Sequence, residues 1–230
     1  QTSVDCPLKM NKLMSWFPVL LVALATSHSV SAQEVQGDVK AGEKKIAMCI
    51  GCHGIKGYQS SFPEVYKVPM ISGQGAAYIV SALTAYKKGE RKHPTMRGIV
   101  DNLSEKDMAD VAAYYEIHGK AEGAPLPAKA PEGNARVAEL VTKGACTSCH
   151  GENFSQPVSP AFPKVAGQHA DYLFVALKSY KTEGHATWGR SNGVMAGVAK
   201  QFTNAELKEM AVYLSSLPGE LKTVKQSIFR

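Results

Sequence analysis

Two short stretches of the 230-residue chain carry the same reactive side chains, two thiols followed at once by an imidazole. The motifs, Cys-x-x-Cys-His in both cases, lie 97 residues apart. This spacing is typical of covalent haem attachment, in which the thiols bond to the haem vinyl groups and the imidazole becomes an axial ligand of the iron. The chain is therefore predicted to carry two haem c groups, covalently attached. The residues concerned are Cys49, Cys52 and His53 in the first motif, and Cys146, Cys149 and His150 in the second.

Paired cysteines have two other common uses, and both fit this chain less well than haem attachment. A thioredoxin-like redox pair belongs in a strand–helix–strand context, and no useful length of this chain alternates apolar and polar residues. Two Cys-x-x-Cys pairs could also bind zinc. However, zinc-binding pairs usually lie closer than 97 residues and need no histidine after each pair. Covalent haem accounts for both motifs in full.

The ligand on the other side of each iron decides the chemistry. A strong protein ligand closes the iron and makes an electron carrier, whereas an open iron binds peroxide, oxygen or small gases. Met96 lies eight residues before Ser104, and Met195 lies eight residues before Thr203, at matching points of the two repeats. This agreement predicts Met96 and Met195 as the second axial ligands.

Other methionines and histidines fit this role less well. Met108 and Met210 fall on apolar helix stripes, where methionine is usually part of the core. Met70 and His93 are both within reach of the first haem by sequence, but the position of Met70 is a lysine, Lys164, in the second repeat. Four histidines have no counterpart at a ligand-like position and are interpreted as surface or linker residues: His93, His118, His169 and His185.

A repeated proline segment follows each motif. Pro69 and Pro163 open the matching stretches Pro-Met-Ile-Ser-Gly-Gln and Pro-Lys-Val-Ala-Gly-Gln. A ligating imidazole usually donates its other N–H group to a carbonyl or a carboxylate. We therefore expect the Pro69 and Pro163 carbonyls to orient His53 and His150.

Each repeat ends in a predicted amphipathic helix. Ser104 followed by Asp107, and Thr203 followed by Glu206, are capping signals that satisfy unpaired N–H groups at a helix start. Apolar residues then recur at helical spacing and predict one buried stripe per helix. The stripes are Met108, Val111, Ala112 and Tyr115 in the first repeat, and Leu207, Met210, Ala211 and Leu214 in the second. The predicted fold is all-α, with two tandem domains related by duplication and one haem in each.

The beginning of the chain is predicted to be a leader. Within residues 1–32, Lys12 precedes an apolar stretch, and Val30-Ser31-Ala32 is a small-residue cleavage site typical of a secretory signal peptide. The stretch is short for a membrane anchor, so we expect export to the periplasm. The predicted bounds of the remaining chain are 33–120 for the first domain, 121–133 for a linker rich in Gly, Pro and Ala, and 134–230 for the second domain.

Composition and charge exclude some classes of protein. Apolar residues make up 44% and charged residues 20%, which suits a packed core. The formal net charge of +6 comes without the dense Lys/Arg runs of a nucleic-acid-binding protein. Five basic residues cluster around Met96, and either a docking surface for an acidic partner or an ordinary solvated face would account for them. They are Lys87, Lys88, Arg91, Lys92 and Arg97.

The ordered set of motifs resembles the dihaem cytochrome c4 family over about Val35–Leu217. The resemblance rests on the two haem motifs, the two proline segments, and Asp101-Asn102-Leu103-Ser104 running into the helix at Ala109–Tyr115. It implies two class I cytochrome c domains, axial methionines at Met96 and Met195, and an electron carrier rather than an enzyme. Family members are periplasmic, often membrane-associated, and pass electrons toward terminal oxidases. Met70, the short run before Phe162 and the extra tail at 220–230 leave the exact partner open.

The resemblance leaves three functions to compare. The main expectation is a periplasmic shuttle between respiratory or photosynthetic redox proteins, with a terminal oxidase, a quinol-oxidising complex or a dehydrogenase as partner. The first alternative is the dihaem electron-accepting subunit of a dehydrogenase of the flavocytochrome c type, which would copurify with a flavin subunit. The second is a dihaem peroxidase-like enzyme. Such an enzyme would need an open iron and acid–base groups beside it. Two matched methionine ligands would leave neither iron open, so they argue against this alternative.

Overall fold

The structure is a computed structural model that describes residues 35–120 and 125–225. The predicted leader, residues 1–32, lies outside the described residues, and so do residues 121–124 of the predicted linker. Across the described ranges, no helix has the length and apolar character needed to span a bilayer.

The first half of the fold has five helices separated by short irregular segments. They are α1 (Val39–Glu43), α2 (Ala47–His53), α3 (Ala76–Lys88), α4 (Pro94–Val100) and α5 (Glu105–Ile117). Three two-residue strands lie between them, β1 (Gln59–Ser60), β2 (Tyr66–Lys67) and β3 (Arg91–Lys92). β1 pairs with β2 in an antiparallel hairpin that follows the first haem motif.

The second half repeats the five helices in the same order. They are α6 (Ala135–Lys143), α7 (Thr147–His150), α8 (Ala170–Ser179), α9 (Gly193–Ala199) and α10 (Asn204–Ser216), with β4 (Gly189–Arg190) before α9. β4 pairs antiparallel with β3, so a short ladder joins the halves with Arg91 opposite Arg190. The predicted all-α duplication is confirmed. The strands were not predicted because two residues leave no period-2 pattern.

Equivalent helices begin at equivalent cap residues. Asp38 and Asn134 precede α1 and α6, and each side chain accepts a hydrogen bond from a backbone N–H group three residues on. Ser104 and Thr203 precede α5 and α10, and both form the complete capping box that the sequence predicted. These side chains fix where each helix starts, because they satisfy N–H groups that have no partner within the helix.

One long helix forms the centre of each half. α1 and α3 pack on α5, and α6 and α8 pack on α10. Every residue of the predicted stripe on α5 is buried, as are Leu207, Met210 and Ala211 on α10, while Leu214 is half-buried. Met108 and Met210 are therefore core residues, as predicted from their helical spacing.

Two segments near the junction pack more closely than the sequence indicated. The Ala130 N–H group donates to the Glu152 carbonyl over 2.9 Å, so the described part of the predicted linker is bound to the second half. Leu221, in the predicted extra tail, is buried. The next residue, Lys222, donates its N–H group to the Ser72 carbonyl over 3.0 Å. The tail thus returns from the second half to contact the first.

Candidate haem sites

The first motif forms helix α2 and places His53 at its end. The Nδ1 atom of His53 lies 2.8 Å from the Pro69 carbonyl oxygen, and its N–H group donates a hydrogen bond to that oxygen. Burial lowers the pKa of His53, so the ring is neutral at neutral pH. With its proton on Nδ1, the imidazole keeps a lone pair on Nε2, the form that binds a metal.

The second motif has the same arrangement. His150 ends α7, and its Nδ1 atom lies 2.9 Å from the Pro163 carbonyl oxygen. Burial lowers the pKa of His150 as well. The prediction that Pro69 and Pro163 supply the orienting carbonyls is confirmed at both sites.

The four motif cysteines form no disulfide, and all four are half-buried. Burial raises the pKa of Cys49 and of Cys146 to about 11, whereas a redox-active pair needs a thiol of lowered pKa. Within the described parts of the chain, no three His, Cys, Asp or Glu side chains converge on a possible metal ion. The raised pKa values of Cys49 and Cys146 do not support the thioredoxin-like alternative, and among the described residues the two cysteine pairs do not come together as a zinc site would require.

Met96 and Met195 occupy the same position in short helices of the two halves. Each is the third residue of its helix, and each is half-buried. Met96 and Cys49 both pack against the hydrophobic core of the first half. The Met195 N–H group donates to the Asn192 side chain, which caps α9.

His93 is a cap residue, which the sequence interpretation missed. It precedes α4 as Asn192 precedes α9, and its Nδ1 atom accepts a hydrogen bond from the Met96 N–H group at 3.4 Å. Its match with Asn192 across the repeats was the available signal. His118 also differs from a free surface histidine, because its Nδ1 atom lies 2.9 Å from the Ser72 hydroxyl.

Two arginines meet where β3 and β4 pair. Arg91 and Arg190 both donate to the Tyr172 hydroxyl, over 2.7 and 3.2 Å. Each also donates to a tyrosine of its own half, Arg91 to Tyr78 and Arg190 to Tyr180. Burial would raise the pKa of Tyr172, but the two guanidinium charges outweigh burial and lower it to about 8.

We call the five residues just named the arginine–tyrosine junction. Within the described ranges, neither guanidinium has a carboxylate at ion-pairing distance, and the buried Nε atom of Arg91 has no hydrogen-bond partner. A cavity of about 260 Å³ lies beside Arg190, Tyr180 and Asn192. Buried cations need a counter-charge. Haem carries two carboxylates, so the junction fits the carboxylate side of a haem, as the histidines fit its iron.

Several basic side chains of the cluster around Met96 have partners within the protein. Arg91 donates to the Tyr172 hydroxyl, and Lys92 donates to the His185 carbonyl in the other half. Lys87 donates to the Leu103 carbonyl, and Arg97 pairs with Asp101 over 2.7 Å. The solvated or docking face expected from the sequence is thus smaller than a count of charges suggests.

The chain is similar to known proteins over most of its length. The sequence model of the family described as Cytochrome c matches residues 39–116 and 134–218. Cytochrome c4 of Stutzerimonas stutzeri is 32% identical over 216 residues, which cover 86% of this chain and 98% of the relative. The thiosulfate dehydrogenase electron acceptor of Stutzerimonas stutzeri strain A1501 is 28% identical over 211 residues, covering 85% and 92%.

A solved structure gives the same result. Reduced recombinant cytochrome c4 from Pseudomonas stutzeri superposes with a TM-score of 0.57 and 28% identity, over 79% of this chain and 100% of the other. Both haem motifs, with their orienting carbonyls, fall within the two segments that the family model matches. The chain therefore belongs to the dihaem cytochrome c4 family, and it is an electron-transfer protein with two covalently attached haem c groups.

Proposed function

We propose that His53 and Met96 hold the iron of the first haem, and that His150 and Met195 hold the iron of the second. The observation that supports this most strongly is the matched geometry of the two histidines. Each commits Nδ1 to a proline carbonyl and leaves Nε2 for a metal. Met70 is a poor alternative, because its backbone adjoins the Pro69 carbonyl on the Nδ1 side of His53, away from Nε2.

Such sites make the protein a carrier of single electrons. When bound, haem c supplies reversible exchange of one electron at iron. Two fixed protein ligands keep water and substrates off the iron, and methionine sulfur favours the reduced state and raises the potential. Arg91 and Arg190 of the arginine–tyrosine junction would bind haem carboxylates where the two halves meet. This position suits the passage of electrons between the two haems.

The wider role follows from the leader and the family. The protein would be exported by the predicted signal peptide in residues 1–32 and work in the periplasm. There it would shuttle electrons between respiratory or photosynthetic redox proteins, toward a terminal oxidase. The two haem domains would span 33–120 and 134–230, joined by 121–133.

A second candidate role has a specific relative in its favour. One matched protein is named as the electron acceptor of thiosulfate dehydrogenase. This cytochrome could likewise accept electrons from a dehydrogenase, including one of the flavocytochrome c type. Copurification of the exported protein from its natural membrane and soluble fractions would distinguish the two roles. A stoichiometric dehydrogenase subunit would favour the acceptor role, and its absence would favour the diffusing shuttle.

The ligand assignment is tested by visible absorption of the holoprotein, first ferric and then reduced with and without carbon monoxide. The wild type should show two low-spin haems, a ferric band from Met-sulfur ligation and no reaction with carbon monoxide. Met96→Ala and Met195→Ala should each open one haem, which then binds carbon monoxide. Met70→Ala is the matched control and should leave both haems closed.

Two outcomes would overturn this assignment. Rapid carbon monoxide binding by the wild type would show an open iron and favour an enzyme or a sensor. If Met70→Ala opened the first haem and Met96→Ala did not, Met70 would be the ligand.

A further inference from the structure

Two buried glutamines cross between the halves of the protein. Gln74 and Gln168 are the last residues of the repeated proline segments, and each residue is only 4% exposed. Gln168 accepts from the Met70 N–H group over 3.0 Å and donates to the Met70 carbonyl over 2.9 Å. Gln74 makes the same two bonds with Lys164, over 3.0 and 2.9 Å. Each glutamine thus grips the backbone of the opposite half.

Each glutamine accepts a hydrogen bond from the same peptide group whose oxygen orients a haem-binding histidine. The oxygen of the Pro69–Met70 peptide accepts a hydrogen bond from His53 Nδ1, and the N–H group of the same peptide donates a hydrogen bond to Gln168. The Pro163–Lys164 peptide does the same between His150 and Gln74. A hydrogen-bond relay therefore runs from each glutamine, through one peptide group, to the histidine of the other half.

A relay of this kind changes the chemistry of the imidazole. Hydrogen bonds in a chain polarise one another, so donation from the peptide N–H group makes the proline oxygen a stronger acceptor. A stronger bond at Nδ1 makes a ligating histidine more basic. A more basic ligand stabilises ferric over ferrous iron and lowers the reduction potential.

We propose that Gln168 and Gln74 are positioning residues that set the reduction potential of the haem in the opposite half, Gln168 through His53 and Gln74 through His150. The proposal rests on the axial roles given to the two histidines under the proposed function. It makes each potential a property of the joined halves, since neither half contains its own relay.

The test compares Gln168→Met and Gln74→Met holoproteins with the wild type. Methionine matches glutamine in length and cannot make either bond. Gln168→Met should raise the reduction potential of the haem at His53 by up to about 59 mV, which is a tenfold change in the equilibrium constant for one electron. The potential of the other haem should stay unchanged. Gln74→Met should do the reverse. Spectroelectrochemical titration gives the potentials, and nuclear magnetic resonance of the oxidised protein assigns them to each haem.

A second measurement reads the relay directly. In the reduced, diamagnetic protein, the Nδ1 proton of His53 should move upfield in Gln168→Met, because its hydrogen bond weakens, and that of His150 should not. Glu64→Gln is the matched control for loosening of the interface, because it removes the ion pair with Lys178 across the halves and touches neither relay. It should move neither potential.

Several results would count against the relay. Equal shifts of both haems in each glutamine variant would show only a loosened interface, and unchanged potentials would show no coupling. The two variants are independent, so a failure of one to fold leaves the other as a test. A wild type without His/Met spectra would instead refute the ligand assignment. Normal wild-type spectra with unmoved variants would refute the relay alone.

Discussion

At the scale of single residues, His93 and Asn192 show how different side chains fill one structural role. Each precedes the short helix that carries a predicted ligand, and each accepts a hydrogen bond from the backbone N–H group of the methionine three residues on. Burial lowers the pKa of His93, which keeps the ring neutral and able to accept. An imidazole beside Met96 resembles a competing ligand in the sequence. Its Nδ1 lone pair accepts the Met96 N–H group, so the neutral ring carries its proton on Nε2 and neither nitrogen has a lone pair left for iron.

Replacement of His93 should separate a cap from a ligand. His93→Asn copies the second half and should leave both the spectrum and the stability nearly unchanged. His93→Ala should lower the free energy of unfolding by about 0.5–2 kcal/mol, the usual cost of losing an N-cap, again without a spectral change. Denaturant unfolding and visible absorption of the holoproteins would measure both. A changed spectrum of the first haem in either variant would contradict the cap role.

The sequence predicted the residues whose chemistry is set by local spacing and repetition. The motif histidines, their proline carbonyls and the core methionines all follow from short patterns that recur in both halves. Arg91 could not be predicted in the same way. It stands in a run of basic residues that indicates solvent, and only the pairing of β3 with β4 turns it toward Tyr172.

At the scale of elements, the crossing of α1 and α5 depends on one small residue. A Cβ atom at Gly42 would lie 2.1 Å from the Asp110 carbonyl oxygen, so the two helices approach more closely than any larger side chain permits. The sequence predicted α5, with its cap and stripe, because a helix of 13 residues has a clear period. It did not predict the five-residue α1 or its crossing, which depend on tertiary packing.

Gly42→Ala should therefore destabilise the protein although alanine favours helices. The methyl group must push α5 away, and overpacking of this kind costs roughly 1–3 kcal/mol or more. Gly98→Ala is the matched control, because a Cβ atom there meets nothing within 4 Å and the residue is exposed on α4. It should stabilise by about 0.5–1 kcal/mol through helix propensity alone. Thermal unfolding of both holoproteins distinguishes a special crossing from a general glycine effect, which would give both variants the same sign.

The same crossing carries a buried carboxylate. Burial raises the pKa of Asp110, but hydrogen bonds from Lys106, Lys45 and the Asp38 N–H group outweigh it and lower the pKa to about 2. In the unfolded chain an aspartate titrates near 3.9. The stabilisation is therefore complete above about pH 4 and is lost as the pH falls toward 2.

Asp110→Asn should remove this stabilisation at neutral pH and flatten the acid dependence. We expect a loss of roughly 1.5–3 kcal/mol at pH 7, the range for hydrogen bonds to charged groups. Between about pH 4 and pH 3 the free energy of unfolding should fall less steeply in the variant than in the wild type. Asp101→Asn, which removes the exposed pair with Arg97, serves as the control and should change little. Parallel pH profiles for wild type and Asp110→Asn would contradict the role of this carboxylate.

At the scale of the whole molecule, the duplication explains the two halves but not how they are joined. Repeat matching predicts that each half holds one haem, because every landmark recurs in order. The glutamine relays, the shared Tyr172 and the returning tail are contacts between unlike positions, and no pattern within one repeat indicates them. Under the proposed ligand assignment, they place charges and hydrogen bonds of one half beside the haem site of the other.

Arg91→Gln should lower both haem potentials, because removal of a half-buried positive charge makes the oxidised, more positive iron easier to form. We expect a shift on the order of 1 kcal/mol, roughly 40 mV for one electron. Arg97→Gln removes the same charge from an exposed site, where water and salt screen it, and should shift the potentials far less. Potentiometric titration of both variants makes the comparison. Equal shifts in the two variants would show that the charge of Arg91 has no special influence on the haems, whereas a larger fall of both potentials in Arg91→Gln would place the arginine–tyrosine junction beside both haems.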